Sequence, residues 1–432
     1  MKKILLAAAI ALLAVSCGKT DSISADGTGR SGNVKDLVMN DPTLWGGTFS
    51  MYPEGQPLPA RPPKGYKPFY ISHMGRHGAR FIDGRGFYTD MLRTWEQAEE
   101  QGRLTPAGKE FLEAYRTVYP KLQYHEGILT EKGQNQHRLI ADQMYRDYPE
   151  VFKGKTLAAA LSSDSHRVIV SMMCLLDELS ELDRDLDFSV DYGRPYFSVI
   201  IPESTGNPNY MPMQPFTAEA LEVNDRFISQ VFDQDAFLAK WFTSMEGIDI
   251  DTFMYHFVTM VADFCNLDFE VPATLTEAFT PEERYALWRV QNYSDYMYTG
   301  VAPGVDKRRM IEMSVTAKDI IDRFEQDCSD GISLRLRFSH DTALAPLVSY
   351  LGVNGMDAEI EDPFEVENIW KSYEIPMACN FQLVFFRSRR NPGDILIQAL
   401  LNGYQATLPL PEAAPGFYHW SDFKARFDKV LI

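Results

Sequence analysis

One short segment of the chain carries a histidine between two arginines. Its residues are Arg76, His77, Gly78 and Arg80, and an apolar, β-prone run at 69–71 precedes them. Two guanidinium groups can hold the oxygens of one phosphate through paired hydrogen bonds, and an imidazole between them would face the phosphorus atom. Because glycine has no Cβ, the backbone there can approach an anion closely. This pattern is typical of a strand that ends in a phosphate-binding loop.

Two later segments have the same form, since polar residues follow apolar stretches at 157–161 and 332–338. The polar residues are Ser163 and Arg167 after the first stretch, and His340 and Asp341 after the second. In an open α/β sheet the ligand crevice lies beyond the carboxyl ends of the strands. We therefore expect all three segments to converge on one site.

The order and spacing of these motifs resemble those of the histidine acid phosphatase family, the branch of the histidine phosphatase superfamily that includes phytases and multiple inositol polyphosphate phosphatases. The matches are Arg-His-Gly-x-Arg at 76–80, Leu-Thr-x-x-Gly-x-x-Gln at 129–136, Ser-x-x-x-Arg at 163–167 and His-Asp-Thr at 340–342. The resemblance extends from about residue 68 to the C-terminus. It implies an α/β fold in which a Rossmann-like sandwich core carries an inserted helical cap.

The chain departs from the family pattern at two places. The family commonly has proline two residues after the second arginine, where this chain has Ile82. This difference affects the following specificity loop and leaves the chemistry intact. Inositol polyphosphate phosphatases of the family often carry His-Ala-Glu where this chain has His-Asp-Thr at 340–342.

The resemblance also implies a mechanism, the hydrolysis of phosphate monoesters through a covalent phosphohistidine. His77 would attack phosphorus, and Asp341 would protonate the leaving oxygen and then activate water. Four residues would hold the phosphate oxygens: Arg76, Arg80, Arg167 and His340. No metal or cofactor is implied, because the arginines supply the electrostatic stabilisation. Cations disfavour protonated His77 and bound phosphate disfavours ionised Asp341, so we expect activity to be highest below neutral pH.

The N-terminus is typical of an export signal. Two lysines precede an apolar run at 4–15, which is too short to span a membrane. A small residue before Cys17 resembles a bacterial lipoprotein cleavage site, so that residues 1–16 would be removed and Cys17 would carry the lipid. The alternative is ordinary signal cleavage near residues 14–16. The polar stretch at 17–35 then predicts a flexible tether, and the protein would lie in the periplasm or at the outer membrane or cell surface.

The charge of the chain restricts its partners. The formal net charge is −18, which disfavours binding to nucleic acid and to anionic lipid headgroups. Contact with a membrane is therefore expected only through the lipid anchor. Small phosphate esters would need a local cationic pocket, and the three motif arginines would form one.

Four cysteines remain beyond Cys17, and none of them shows the Cys-x-x-Cys spacing of a zinc or redox site. They are Cys174, Cys265, Cys328 and Cys379. An exported protein can form disulfides, but the sequence does not determine which cysteines pair. Cys328 and Cys379 both flank predicted strands, which makes them the first candidates for proximity.

The pattern along the chain predicts core strands that alternate with helical regions. The strands are expected at 67–72, 157–162, 332–338, 379–387 and 394–408, the last two joined as a hairpin by the turn at 391–394. The helical segments 88–125 and 216–311 would form the cap. The core would then comprise 36–87, 126–215 and 312–432.

The sequence leaves the substrate open. Inositol polyphosphates rank ahead of sugar phosphates and general monoesters, provided that Arg85 and cations of the cap, such as Arg93 and Lys307, anchor the additional phosphates. A phosphoglycerate-mutase-like phosphotransferase is a rival, although that branch lacks the His-Asp strand end. A rival of another class is a non-catalytic surface lipoprotein that binds glycans, which the aromatic content of 12% would suit.

Overall fold

The computed structural model describes residues 32–431, except 203, 205–206, 208–209 and 211. The predicted signal peptide 1–16, Cys17 and most of the tether 17–35 lie outside the described residues, so these interpretations stay predictions. No helix in the described ranges is both long and apolar enough to cross a membrane.

A mixed sheet of nine strands forms the centre of the protein. Its strands are β1 (Tyr66–Arg76), β2 (Thr156–Ser162), β3 (Leu186–Tyr192), β4 (Leu334–Ser339), β5 (Asn380–Ser388), β6 (Ile395–Leu401), β7 (Tyr404–Ala406), β8 (Glu412–Ala414) and β9 (Phe417–His419). The order across the sheet is β3-β2-β4-β1-β5-β6-β9-β8, and β7 pairs with β6. The first four strands in this order are parallel, whereas the remaining strands pair antiparallel.

Helices cover both faces of the sheet. They are α1 (Val34–Asn40), α2 (Phe87–Glu100), α3 (Pro106–Leu122), α4 (Glu131–Asp147), α5 (His166–Leu182), α6 (Phe197–Ile200), α7 (Ala218–Val231), α8 (Gln234–Ala239), α9 (Ile250–Asp263), α10 (Ala273–Thr276), α11 (Pro281–Thr299), α12 (Arg308–Asp330), α13 (Asp341–Leu351) and α14 (Trp420–Phe427). Successive residues of a strand point to opposite faces. Tyr70 and Met74 of β1 accordingly pack in the apolar cluster of α12, α13 and α14, whereas Ile71 packs in that of α4 and α5.

A third apolar cluster holds the helical cap together. The fully buried Trp95 of α2 lies at its centre, with ring centroids 4.9 Å from Phe111, 4.7 Å from Phe242 and 5.4 Å from Phe257. The cluster joins α2 and α3 to α8 and α9, which come from a distant part of the chain. The α/β sandwich with an inserted helical cap is confirmed.

The sheet differs from the predicted strands in several places, among them β3, the strand predicted at 394–408, and the short β8 and β9, which were not predicted. Strand β3 was not expected, because its alternating Asp187, Ser189 and Asp191 are exposed and it is held mainly by backbone pairing with β2. The strand predicted at 394–408 is two strands, since the chain reverses at Asn402 and Gly403. Both residues have positive φ, 53° and 80°, which glycine adopts readily and asparagine tolerates.

The proposed proximity of Cys328 and Cys379 is wrong. Cys328 lies at one end of β5, where its Sγ is 4.0 Å from Nη2 of Arg387. Cys379 directly precedes the other end of β5, eight residues from Arg387, which at about 3.3 Å per residue is roughly 25 Å away. All four cysteines in the described residues carry free thiols.

Candidate active site

Three parallel strands end at one edge of the sheet, and the predicted motifs follow them. Strand β1 ends at Arg76, which pairs with Ser339 at the end of β4, and β2 ends against the same strand. The pairing continues one step further, since the His77 N–H donates to the Ser339 carbonyl at 3.1 Å and the Ser163 N–H to the Phe338 carbonyl at 3.3 Å. The sheet therefore brings all three motifs together.

The loop after β1 is packed directly against the start of α4. A Cβ at Gly78 would lie 2.4 Å from the carbonyl oxygen of Gly133, and a Cβ at Gly133 would lie 2.1 Å from that of Ala79. Two side chains hold the loop backbone: Ser171 Oγ accepts from the Gly78 N–H at 3.1 Å, and Gln136 Oε1 from the Ala79 N–H at 2.8 Å. Gln136 belongs to a predicted motif, whereas sequence reasoning missed Ser171.

The imidazole of His77 is buried and fixed in orientation. Its Nδ1 lies 2.9 Å from the carbonyl oxygen of Gly78, so Nδ1 carries the hydrogen and Nε2 keeps the lone pair. Burial, reinforced by the charges of Arg76 and Arg80, holds the pKa of His77 well below its usual value. The ring is thus neutral and able to act as a nucleophile in acid.

Arg76 and Arg80 flank this imidazole from within the loop. Nη1 of Arg76 donates to the carbonyl oxygens of Thr48 and of Ile375, the latter at 3.0 Å, and Nη2 donates to Asp341 Oδ2 at 3.1 Å. Nη1 of Arg80 donates to the Phe81 carbonyl at 2.9 Å. Carbonyl acceptors hold both guanidinium groups in place, and Arg76 is also paired with the carboxylate of Asp341.

Arg167 reaches the same site from the start of α5. Its Nη2 lies 2.9 Å from Oδ2 of Asp83, a residue of the loop after Arg80. Nε of Arg167, like Nε of Arg76 and of Arg80, is buried and has no acceptor among the described residues. Phosphate oxygens are suitable acceptors for such charged donors, each of which is costly to bury unpaired.

His340 and Asp341 face the loop from the start of α13. The ring centroids of His340 and His77 are 5.5 Å apart, and Nε2 of His340 lies 3.2 Å from Ser163 Oγ. Burial, with the charge of Arg167, lowers the pKa of His340 to about 4. The Asp341 side chain is 30% exposed. Partial burial raises the pKa of Asp341, but the charges of Arg76 and other cations lower it by more. The pKa of Asp341 is therefore below its usual value.

The cap supplies two carboxylates that sequence reasoning missed, Asp263 of α9 and Asp295 of α11. Burial raises the pKa of each to about 7, although the charge of Arg80 lowers that of Asp263 and a hydrogen bond from Gln291 lowers that of Asp295. No motif marks these residues, because they reach the site only through the packing of cap helices. A helical aspartate is indistinguishable in the sequence from one on a solvated face.

The cap cations considered as anchors for additional phosphates are engaged by acids. Arg93 pairs with Asp90 at 2.9 Å, and Lys307 pairs with Glu359. Arg85 is exposed in the loop before α2. Of these cations, Arg85 is the nearest in the chain to Asp83, the partner of Arg167.

Comparison with known proteins gives matches in structure only. No protein-family profile matches the chain, and no curated protein matches it in sequence. The multiple inositol polyphosphate phosphatase of Bifidobacterium longum, in complex with inositol hexasulfate, has a TM-score of 0.72 at 16% identity, covering 90% of this chain and 98% of that chain. The phytase of D. castellii has a TM-score of 0.64 at 13% identity, covering 95% and 89%.

A third solved structure is the Hafnia alvei phytase in complex with myo-inositol hexakis sulphate. Its TM-score is 0.52 at 10% identity, and the match covers 86% of this chain and 98% of that chain. At such low identities these likenesses concern the fold. The chain thus has the α/β fold of the multiple inositol polyphosphate phosphatases and the phytases.

Proposed function

We propose that this protein is a phosphomonoesterase that works through a phosphohistidine intermediate. The observation that carries the proposal is the buried imidazole of His77, held at Nδ1 and flanked by three arginines. These are Arg76, Arg80 and Arg167. Three guanidinium groups suit a phosphate dianion, and a neutral imidazole among them suits attack on phosphorus. The fold shared with phytases supports the same reaction class.

In the first step Nε2 of His77 forms a bond to phosphorus while the bond from phosphorus to the ester oxygen breaks. Asp341 gives its proton to that oxygen, and an alcohol leaves. The pKa of Asp341 is lowered in the ligand-free site by Arg76 and other cations, which outweigh the effect of burial. A phosphate dianion bound to the same cations offsets their charge, which moves the pKa of Asp341 upward and favours the protonated acid.

In the second step Asp341, now a carboxylate, takes a proton from water as the water oxygen attacks phosphorus. The bond between phosphorus and His77 breaks, and inorganic phosphate leaves. The arginines hold the same oxygens in both steps, which stabilises the charge that develops in each transition state. The acid formed on Asp341 is ready for the next turnover.

Turnover of an aryl phosphate by the purified protein tests the proposal. We expect nitrophenol release to continue after exhaustive treatment with EDTA and to be inhibited by oxyanions that resemble phosphate, because the arginines stabilise the transition state. Absence of turnover would favour a binding protein. Loss of activity on chelation, with recovery on adding a divalent ion, would point to a metallophosphatase.

The rate with an alkyl phosphate is expected to fall as pH rises above neutrality. His77 is already neutral in acid because its pKa is held well below the usual value, so the acid side of the profile is not limited by this group. In the complex with substrate, where the bound phosphate favours the protonated acid, rising pH removes the proton from Asp341, and it also ionises Asp263 and Asp295, whose pKa values are about 7. Each ionisation weakens the attraction for phosphate.

Measurement of kcat and kcat/KM from about pH 4 to about pH 9 checks this expectation. An optimum well above neutrality would contradict the assignment of Asp341 as the proton donor.

We propose inositol polyphosphates as the first substrate class, with sugar phosphates and general monoesters as the alternative. The solved structure with inositol hexasulfate has the same fold, and Arg85 is exposed in the loop that also carries Asp83. The His-Asp-Thr sequence at 340–342, in place of His-Ala-Glu, supports the alternative. We expect kcat/KM for inositol hexakisphosphate to exceed that for glycerol phosphate by about tenfold, and Arg85→Ala to reduce this advantage.

The matched control for this experiment is Arg93→Ala, since Arg93 is paired with Asp90 and should not serve as an anchor. If inositol hexakisphosphate is no better than glycerol phosphate and Arg85→Ala changes neither rate, the protein is a general phosphomonoesterase.

Export and lipid attachment at Cys17 complete the proposal and rest on the N-terminal sequence pattern. Fractionation of cells that produce Cys17→Ser tests the anchor. The substituted protein should leave the membrane fraction, and its retention there would contradict lipid attachment at this residue.

A further inference from the structure

The guanidinium of Arg167 is shared between the site and an acid at its rim. Nη2 of Arg167 lies 2.9 Å from Oδ2 of Asp83, and the two side chains are 14% and 52% exposed. The buried Nε of the same guanidinium has no acceptor among the described residues. Nη2 of Arg167 thus holds a carboxylate that borders solvent, while Nε of the same guanidinium is left for another acceptor such as phosphate.

The loop that carries Asp83 is held in place by the backbone. The Phe81 N–H donates to the Ile128 carbonyl at 3.0 Å, and the Gly127 N–H donates to the carbonyls of Phe81 and Ile82. A Cβ at Gly127, where φ is +75°, would lie 3.1 Å from Asp83 Oδ1. The Asp83 carboxylate therefore lies beside a backbone position that favours glycine, and its contact with Arg167 places it at the rim of the site.

A negative charge at Asp83 affects esters with one phosphate differently from esters with several phosphates. An ester with a single phosphate places that group among the arginines and presents an uncharged remainder to the rim. An ester with neighbouring phosphates brings a second dianion close to Asp83, where like charges repel and only part of the interaction is screened by solvent.

We propose that Asp83 is a specificity-determining residue that limits the preference for polyphosphorylated esters over esters with one phosphate. This inference rests on the proposed phosphatase function. It concerns the ratio of the kcat/KM values for two substrates, so it applies whichever of the two substrates the native protein prefers.

A purely orienting role for Asp83 gives a different result. If Asp83 served only to orient Arg167, its loss would weaken the hold on the scissile phosphate of every substrate by a similar factor. That factor cancels when two substrates are compared in the same variant. Repulsion of a second phosphate does not cancel, because only one of the substrates has it.

The test compares Asp83→Asn with Asp90→Asn as a matched control. Both changes remove one acid from an Arg–Asp pair with a 2.9 Å contact and a half-exposed carboxylate, but the partner of Asp90 is the exposed Arg93. We expect Asp83→Asn to raise the ratio of kcat/KM for inositol hexakisphosphate to kcat/KM for glycerol phosphate by about tenfold, and Asp90→Asn to change it by less than about twofold. Equal ratios in the two variants, or a uniform loss on both substrates in Asp83→Asn, would overturn the inference.

Calorimetry separates this inference from the proposed function. In Asp83→Asn the ratio of the Kd for inositol hexakisphosphate to the Kd for inorganic phosphate should fall as the kinetic ratio rises, and its measurement needs no turnover. An inactive parent protein would refute the phosphatase proposal, and an unchanged Kd ratio would then refute the role of Asp83 separately.

Discussion

His77→Ala is expected to lower kcat/KM for an aryl phosphate by roughly 10⁴-fold or more, because no other side chain in the loop can form the covalent intermediate. The buried ring presents its Nε2 among three arginines, and alanine leaves these cations without a nucleophile. Initial rates of nitrophenol release measure the loss. Alkali-quenched reactions with labelled substrate should trap phosphate on the parent protein and none on the variant, because the bond between histidine nitrogen and phosphorus is labile in acid and stable in alkali.

Binding of inorganic phosphate separates this loss from a folding defect. Arg76 is held by the carbonyls of Thr48 and Ile375, and its position does not depend on the imidazole, so the variant should still bind phosphate. His166→Ala is the control, since His166 is exposed at the start of α5. Acid-labile phosphate on the His77 variant, or activity near that of the parent, would overturn the assignment of the nucleophile.

The core strands that carry the motifs were predictable because local sequence determines both the strand and its end. Strands β2 and β4 lie within two residues of their predicted bounds, since apolar runs are followed by Ser or His and Asp. Strand β1 extends to Arg76 although the prediction ended at residue 72. It is paired on both sides, by β4 and β5, and this pairing keeps the polar His73 and Arg76 in a strand.

The other residues of the site were beyond prediction because they reach it through tertiary packing. Asp263 and Asp295 come from cap helices that are distant in sequence from the motifs, and nothing in their neighbours distinguishes them from surface acids. Asp83 follows a motif directly, but only the folded loop shows that it pairs with Arg167. Sequence patterns thus predicted the cations of the site and missed most of the acids that balance them.

These acids make the charge of the site depend on pH. Three arginines face the carboxylates of Asp83 and Asp341 and the two cap acids, whose pKa values burial raises to about 7. Below that pH the cap acids are protonated, and the arginines outnumber the remaining carboxylates. An anion is therefore attracted most strongly in mild acid, and once bound it favours a protonated Asp341.

Asp341→Asn is expected to reduce turnover of an alkyl phosphate by roughly 10³-fold and release of nitrophenol in the first step by far less. An alkoxide is a poor leaving group and needs the proton of Asp341, whereas nitrophenolate leaves almost unaided. The second step also loses the group that activates water. The variant should therefore release one equivalent of nitrophenol rapidly and then turn over slowly, with phosphohistidine accumulating.

Stopped-flow measurement of the burst and alkaline trapping of the intermediate check both parts of this prediction. Asparagine keeps an oxygen that can accept from Nη2 of Arg76, so the 3.1 Å contact and the position of that arginine should survive the substitution. Asp90→Asn controls for the loss of one negative charge from the protein. Equal losses on the alkyl and the aryl substrate, without a burst or a trapped intermediate, would mean that Asp341 acts by holding Arg76 and that the proton comes from another group.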